Sequence, residues 1–313
     1  METILTTDPA EAAAIIGRGG IVAFPTETVY GLGADVFNEQ AVRGIFEAKK
    51  RPPDNPLIAH VADREQMERL VEEIPPFAST LIDRFFPGPL TLVLKKRDEV
   101  PLIATAGLDT TGVRMPRNEL ARQFLAACGT PVVAPSANLS GRPSPTTWQA
   151  VYEDLNGRID CILQGDPTEI GLESTVVDCT GDRPIILRQG GITVEDLRSV
   201  VPEAVSDASG ELSARSPGLR HKHYAPRAKV VIIDSPDELL PEPEHSAYIG
   251  IRDLGVEFTK TRILGSLNEY AHELFEFFRE CDRNGIATIY CEAVPEEGIG
   301  VALMDRIRRA AQG

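Results

Sequence analysis

In this 313-residue chain the residues best suited to chemistry fall in five short segments. Lys49-Lys50-Arg51-Pro52-Pro53-Asp54-Asn55-Pro56 sets three cations in a row before a proline-rich turn. A rigid basic loop of this kind suits phosphate clamping by charged hydrogen bonds, although cations ending a helix also answer its negative dipole end. Pro25-Thr-Glu-Thr-Val-Tyr-Gly-Leu-Gly33 places hydroxyls directly after an apolar run. Sheets of α/β proteins present ligands there; the alternative is a plain strand-to-turn junction with Gly31 and Gly33 supplying unusual dihedral angles. Gly31-x-Gly33 lacks the third glycine of a dinucleotide fingerprint, and no P-loop pattern occurs, so any ATP must be held otherwise.

In Thr110-Thr-Gly-Val-Arg-Met-Pro116 a strand would turn Arg114 away from Val113 and Met115. It then faces either a cavity, where it can pair with a carboxylate, or solvent. Ala134-Pro-Ser-Ala-Asn-Leu-Ser-Gly-Arg-Pro-Ser144 offers neutral donors and turn N–H groups that can cradle phosphate, or is simply a Ser/Pro loop. Ser174 and Arg188 fall on neighbouring strand signals. Neither a Ser-His-Asp nor a Cys-His arrangement is evident, and the five histidines lack metal-ligand spacing. His60, on an apolar strand, reads on its own as a core histidine.

The elements that must carry these residues follow from periodicity. Asp8 caps a helix over 9–18 that Gly19-Gly20 ends, and 21–24 is a buried strand. Asn38 caps an amphipathic helix with Val42, Ile45, Phe46 and Lys49 on one face. Strand signals at 57–61, 90–95, 131–134, 160–163, 174–179 and 184–188 alternate with helix signals at 64–73, 77–86 and 118–128. Such alternation predicts an α/β fold with a mixed or mostly parallel sheet. Periodicity lapses over 201–227, which holds a basic cluster at Arg215, Arg220, His221, Lys222 and His223. A second α/β pattern restarts at Lys229. The expected division is a catalytic unit over 1–200, a linker over 201–227 that serves as a lid, and a smaller unit over 228–313.

Net charge is −15, shared between residues 1–200 (19 basic, 28 acidic) and 201–313 (13 basic, 19 acidic). Without a polybasic tract, strong direct RNA binding is not expected. No run of 18 apolar residues suggests a membrane span. Five scattered cysteines and a start unlike a signal peptide fit a cytoplasmic protein.

Taken in order, these segments resemble the YrdC/TsaC family of threonylcarbamoyl-AMP synthases, in its long two-domain form. The resemblance runs from Gly20 to Thr193, resumes at Ser216–Pro226 and returns at Gly298–Ala310. Its most specific parts are PTETVYGLG, KxRPxxNPL, the Lys49-x-Arg51 pair and the Ser136-x-Asn138 pair. Departures, such as Phe86 for a usual tryptophan and Asp305 for a common asparagine, spare those positions. The resemblance implies a YrdC-like twisted mixed sheet flanked by helices, followed by a Rossmann-like domain. It implies condensation of L-threonine, bicarbonate and ATP to threonylcarbamoyl-AMP and pyrophosphate. Mg2+ would come with the ATP, bound by no protein side chain, and partner proteins would pass the product group to tRNA. By position, Thr28, His60, Arg114, Ala134 and Ser174 would hold threonine. Arg51, Asn55, Thr110, Ser136, Ser144, Arg188 and Tyr224 would contact ATP, with Lys49 and Asn138 completing the signature around the phosphates, so that Lys49, Arg51, Ser136 and Asn138 form the expected catalytic set and Lys49 and Arg51 its phosphate-binding pair. Two rivals stand beside this: an RNA-binding module without catalysis, and the carbamoyl-adenylating domain of hydrogenase maturation proteins. The overall acidity weighs against the first; the missing Cys-rich zinc motifs weigh against the second.

Overall fold

The computed structural model describes residues 2–207, 224–235, 238 and 245–312. The first unit runs β1 (Ile4–Thr6), α1 (Pro9–Gly17), β2 (Val22–Phe24), β3 (Gly31–Asp35), α2 (Glu39–Lys49), β4 (Ile58–His60), α3 (Arg64–Glu68) and α4 (Pro76–Phe85). It continues with β5 (Leu90–Lys95), β6 (Thr110–Arg114), α5 (Glu119–Cys128), β7 (Val132–Ala134), α6 (Trp148–Leu155) and β8 (Cys161–Leu163). It closes with β9 (Thr175–Asp178), β10 (Ile185–Arg188), α7 (Val194–Val200) and β11 (Val205–Ser206). The second unit holds β12 (Lys229–Ile233), β13 (Ser246–Gly250), β14 (Lys260–Ile263), α8 (Leu267–Arg283), β15 (Thr288–Glu292) and α9 (Ile299–Ala311).

The first sheet has eleven strands in the order β1-β8-β2-β3-β7-β4-β6-β5-β9-β10-β11, and its pairing is mixed. Its short central strands β2, β4 and β7 are buried throughout. Asn38 caps α2 through its side chain, as the sequence predicts, and Val42, Ile45 and Phe46 on its apolar face are buried. At the C-cap Lys50 adopts φ 52°, a left-handed turn that costs a non-glycine residue roughly 1–2 kcal/mol. Lys49, on the buried face of α2, points inward, while Lys50 is exposed.

Gly31 and Gly33 differ from the turn reading: both lie in β3, and neither has a positive φ. They are small because of what they pack on. A Cβ at Gly33 would lie 2.5 Å from Val132 Cγ1 and 2.9 Å from Phe24 Cε1, so the pair admits the Phe24 ring to the core.

Four parallel strands, in the order β12-β15-β13-β14, form the second sheet. The apolar face of α8 (Tyr270, Leu274, Phe275, Phe277, Phe278) is buried in a core shared with Val29 and Leu172 of the first unit. Backbones meet at Gly171, where a Cβ would lie 2.4 Å from His272 O. The first sheet extends through β11 to Ser206, and most of the expected lid, 208–223, lies outside the described residues. Among the described residues no helix is long and apolar enough to cross a membrane.

Candidate functional site

Strand register brings the five segments together. In the parallel pair β4/β6, His60 lies opposite Arg114, while antiparallel β7 sets Ala134 opposite Ile58. A bridge joins Gly31 to Ser136 just beyond β7. These residues line a cleft of about 590 Å3, open mouth included, with Thr28, Arg51, Glu173, Ser174, Arg188 and Tyr224. Its concave shape and convergent polar groups are those of a small-molecule site.

At one end sits Arg114, 4% exposed, which settles its direction: it faces the protein interior, not solvent. Its guanidinium donates to Thr28 Oγ1 (2.8 Å) and Gly88 O (3.3 Å). It also lies 2.7 Å from Glu27 Oε1, within ion-pairing distance although out of line for a hydrogen bond. Arg114 thus already has a buried carboxylate partner outside the cleft lining. Thr26 fixes the Thr28 hydroxyl at 2.8 Å, and Thr91 holds Ser174 Oγ at 2.8 Å. His60 Nδ1 donates to Ile58 O at 3.1 Å, and its ring meets Phe24 edge-on. Burial, reinforced by the Arg114 charge, lowers His60 to about 3, so its imidazole is neutral at physiological pH.

The other end is built on Arg51. One of its amino groups donates to Asn55 O (3.1 Å), while its buried Nε has no partner in the protein. Asn55 is 0% exposed, and neither polar atom of its amide finds a protein partner. Orphaned buried donors and acceptors are rare enough to mark a place where a ligand completes the bonding. Arg188 donates through Nε to Ser174 O at 3.1 Å, tying the strand behind the cleft to its wall. Gly190 allows that closeness, since a Cβ there would lie 2.3 Å from Glu173 O.

Lys49 does not line the cleft. Its Nζ donates to Ser136 O (2.6 Å) and Asn138 O (2.5 Å), bracing the loop from behind. Burial, then Arg51, pushes its ammonium well below the ordinary value. Asn138 accepts from Ser136 Oγ (2.6 Å) and donates to Leu139 O and Arg142 O, so Ser136-x-Asn138 shapes the loop that Ser136 presents. Ser144 donates to Glu173 Oε1 (2.6 Å). Thr110 begins β6, about 13 Å along the strand from Arg114, and is also outside the lining. All five residues assigned to threonine do line the cleft, as do Arg51, Ser136, Arg188 and Tyr224, whereas Asn55, Thr110 and Ser144, also assigned to ATP, do not.

Sequence reasoning gave no role to three residues: Glu27, Glu173 and Arg306. The last, on α9, donates from Nε to Glu173 Oε2 at 2.9 Å across 133 residues of chain. Glu27 sits inside the Pro25–Gly33 motif and Glu173 directly before Ser174, but nothing local reveals that each balances a buried arginine. Glu27 and Glu173 each face a guanidinium group, and the described residues hold no cluster of three or more His, Cys, Asp or Glu placed to bind a metal.

Residues 14–190 match the family model Sua5/YciO/YrdC, described as "Telomere recombination". Residues 192–312 match "Threonylcarbamoyl-AMP synthase, C-terminal domain". The chain is 45% identical to the threonylcarbamoyl-AMP synthase of Pyrococcus abyssi over 96% of its own length and 93% of that protein. It is 42% identical to that of Bacillus subtilis, covering 100% and 96% respectively. Its fold superimposes on P. abyssi Sua5 complexed with L-threonine with a TM-score of 0.91, at 42% identity over 100% of this chain and 98% of that one. The chain belongs to the Sua5/YciO/YrdC family and carries both domains of its threonylcarbamoyl-AMP synthases.

Proposed function

From that membership we infer how the cleft works: the chain is a threonylcarbamoyl-AMP synthase, joining L-threonine, bicarbonate and ATP into threonylcarbamoyl-AMP and pyrophosphate. This makes it a nucleotidyltransferase. The observation that carries the reading is the two-ended cleft, with a buried Arg114–Thr28–Ser174 end and an Arg51 end where the Arg51 Nε lacks a protein partner.

Arg114 receives the threonine carboxylate, and Thr28 and Ser174 orient the amino acid while neutral His60 packs beside it. Arg51, Asn55, Ser136 and Arg188 take the phosphates. Bicarbonate loses water to give CO2, and the neutral amine adds to its carbon and sheds one proton to leave a carbamate. A carbamate oxygen then forms a bond to the α-phosphorus of ATP, the bond from that phosphorus to the bridging oxygen breaks, and pyrophosphate leaves with the electron pair. No protein nucleophile is needed, so rate rests on positioning and on cations facing the phosphates. Mg2+ held by the phosphates would neutralise the charge that develops on the leaving group. The product, a mixed anhydride, suits handover to proteins that modify tRNA.

Pyrophosphate release should require ATP, threonine and bicarbonate together. Hydrolysis of ATP that ignores threonine would sink the reading.

A further inference from the structure

Arg306 is the largest fully buried side chain in the described structure, and it comes from the second unit. Besides Glu173, it donates to Gln189 O (2.9 Å) and to its neighbour Asp305 (2.8 Å). Its guanidinium carbon lies 5.6 Å from the centre of the Tyr224 ring. Glu173 lines the cleft, and its second oxygen accepts from Ser144. Although burial pushes the Glu173 carboxyl up, the charges of Arg306 and then Arg188 outweigh it, so the group is ionised. A carboxylate in the wall of a cleft for a triphosphate has the wrong sign.

We propose that Arg306 is a positioning residue for ATP: it cancels the Glu173 charge and holds Glu173, which Ser144 also bonds, and Tyr224 as one wall of the phosphate end. The proposal rests on the assignment of ATP to this cleft. Without Arg306, an unscreened carboxylate in the cleft wall repels the phosphates, whereas threonine at the Arg114 end is little affected. At the effective dielectric of such sites this repulsion corresponds to a loss of ATP affinity of roughly tenfold to a hundredfold.

The test is calorimetric titration of the full chain with ATP and, separately, with threonine. Arg306→Met should weaken ATP binding by roughly tenfold or more, with the threonine Kd within about twofold. Glu173→Gln alone should tighten ATP binding, and adding it to Arg306→Met should recover most of the loss. A purely packing role for Arg306 would leave the double variant as weak as the single. Equal losses for both ligands, no recovery, or weaker ATP binding in Glu173→Gln would each overturn the proposal. Should Arg306→Met not fold, the direction of the Glu173→Gln shift still decides. Normal ATP binding by the unsubstituted chain without threonine-dependent pyrophosphate release would count against the proposed reaction, not against this role.

Discussion

The two sheets treat their ligand-binding edges in opposite ways. Parallel α/β sheets bind ligands beyond the carboxyl ends of their strands. In the second unit that place is taken by the protein itself. Glu292, ending β15, accepts from Ile251 N (2.6 Å), Arg252 N (3.0 Å) and Tyr248 Oη (2.9 Å), and it pairs with the Arg252 guanidinium. An internal carboxylate thus fills the turn where an anion would sit, and those donors hold it below the usual carboxylate range despite burial. Around the first cleft, by contrast, Arg51 Nε and the Asn55 amide are left without protein partners. A fold's habitual site is functional only where its polar groups are not already satisfied.

The sharpest way to break this contrast is at Arg114. Removing one partner of a buried ion pair typically costs about 3–5 kcal/mol, so Arg114→Ala should lower unfolding stability by that order in urea titrations. Adding Glu27→Gln should recover much of the stability. Threonine binding should stay roughly tenfold to a hundredfold weaker in both, as the loss of a charged hydrogen bond implies. A single variant as stable as the parent would mean that Glu27 needs no partner.

What the sequence made legible was the local part. The Asn38 cap, the apolar face of α2 and the strand ends that carry His60, Arg114 and Ser174 all follow from spacing and end signals. Packing hid the rest. Gly31-x-Gly33 imitates a turn because a glycine chosen for closeness is spelled like one chosen for φ. β14 (Lys-Thr-Arg-Ile) carries too little apolar content to be read, and its Lys260 and Arg262 are answered by Glu280 and Glu273 on α8. The anions that balance the site were silent because ion pairs across the chain leave no periodic trace.

Next in size is the second edge. Glu292→Ala removes the acceptor of two N–H groups and a hydroxyl, and should cost about 1–3 kcal/mol by thermal unfolding. The Kd values for threonine and ATP should not move; a weakened Kd would show that the second edge is not inert. His60 adds a pH signature. Its folded value of about 3 lies below the ordinary 6.5, so between these limits the unfolded chain takes up a proton that the folded site refuses. Stability from this group therefore falls as pH drops through that window, by about 1.4 kcal/mol per pH unit at most. In His60→Gln the acid branch of the stability curve should be shallower by up to one proton, and an identical slope would refute the assignment. Smallest is Asn55→Ala. The packing lost at this buried side chain is offset by removing an amide without a protein partner, so the unliganded chain should keep its stability to within about 1 kcal/mol, while ATP binds roughly three- to thirtyfold more weakly.

Arg306 reaches Glu173 from α9, and Arg279 on α8 reaches the fully buried Asp154 at 3.0 Å while donating to Pro143 O at 2.6 Å. The second unit is therefore a tethered counter-ion for the first, delivering two guanidinium groups at the high effective concentration that covalent linkage confers. Severing the chain between the units would turn that delivery into a bimolecular encounter, and the order of the cleft would then depend on dilution.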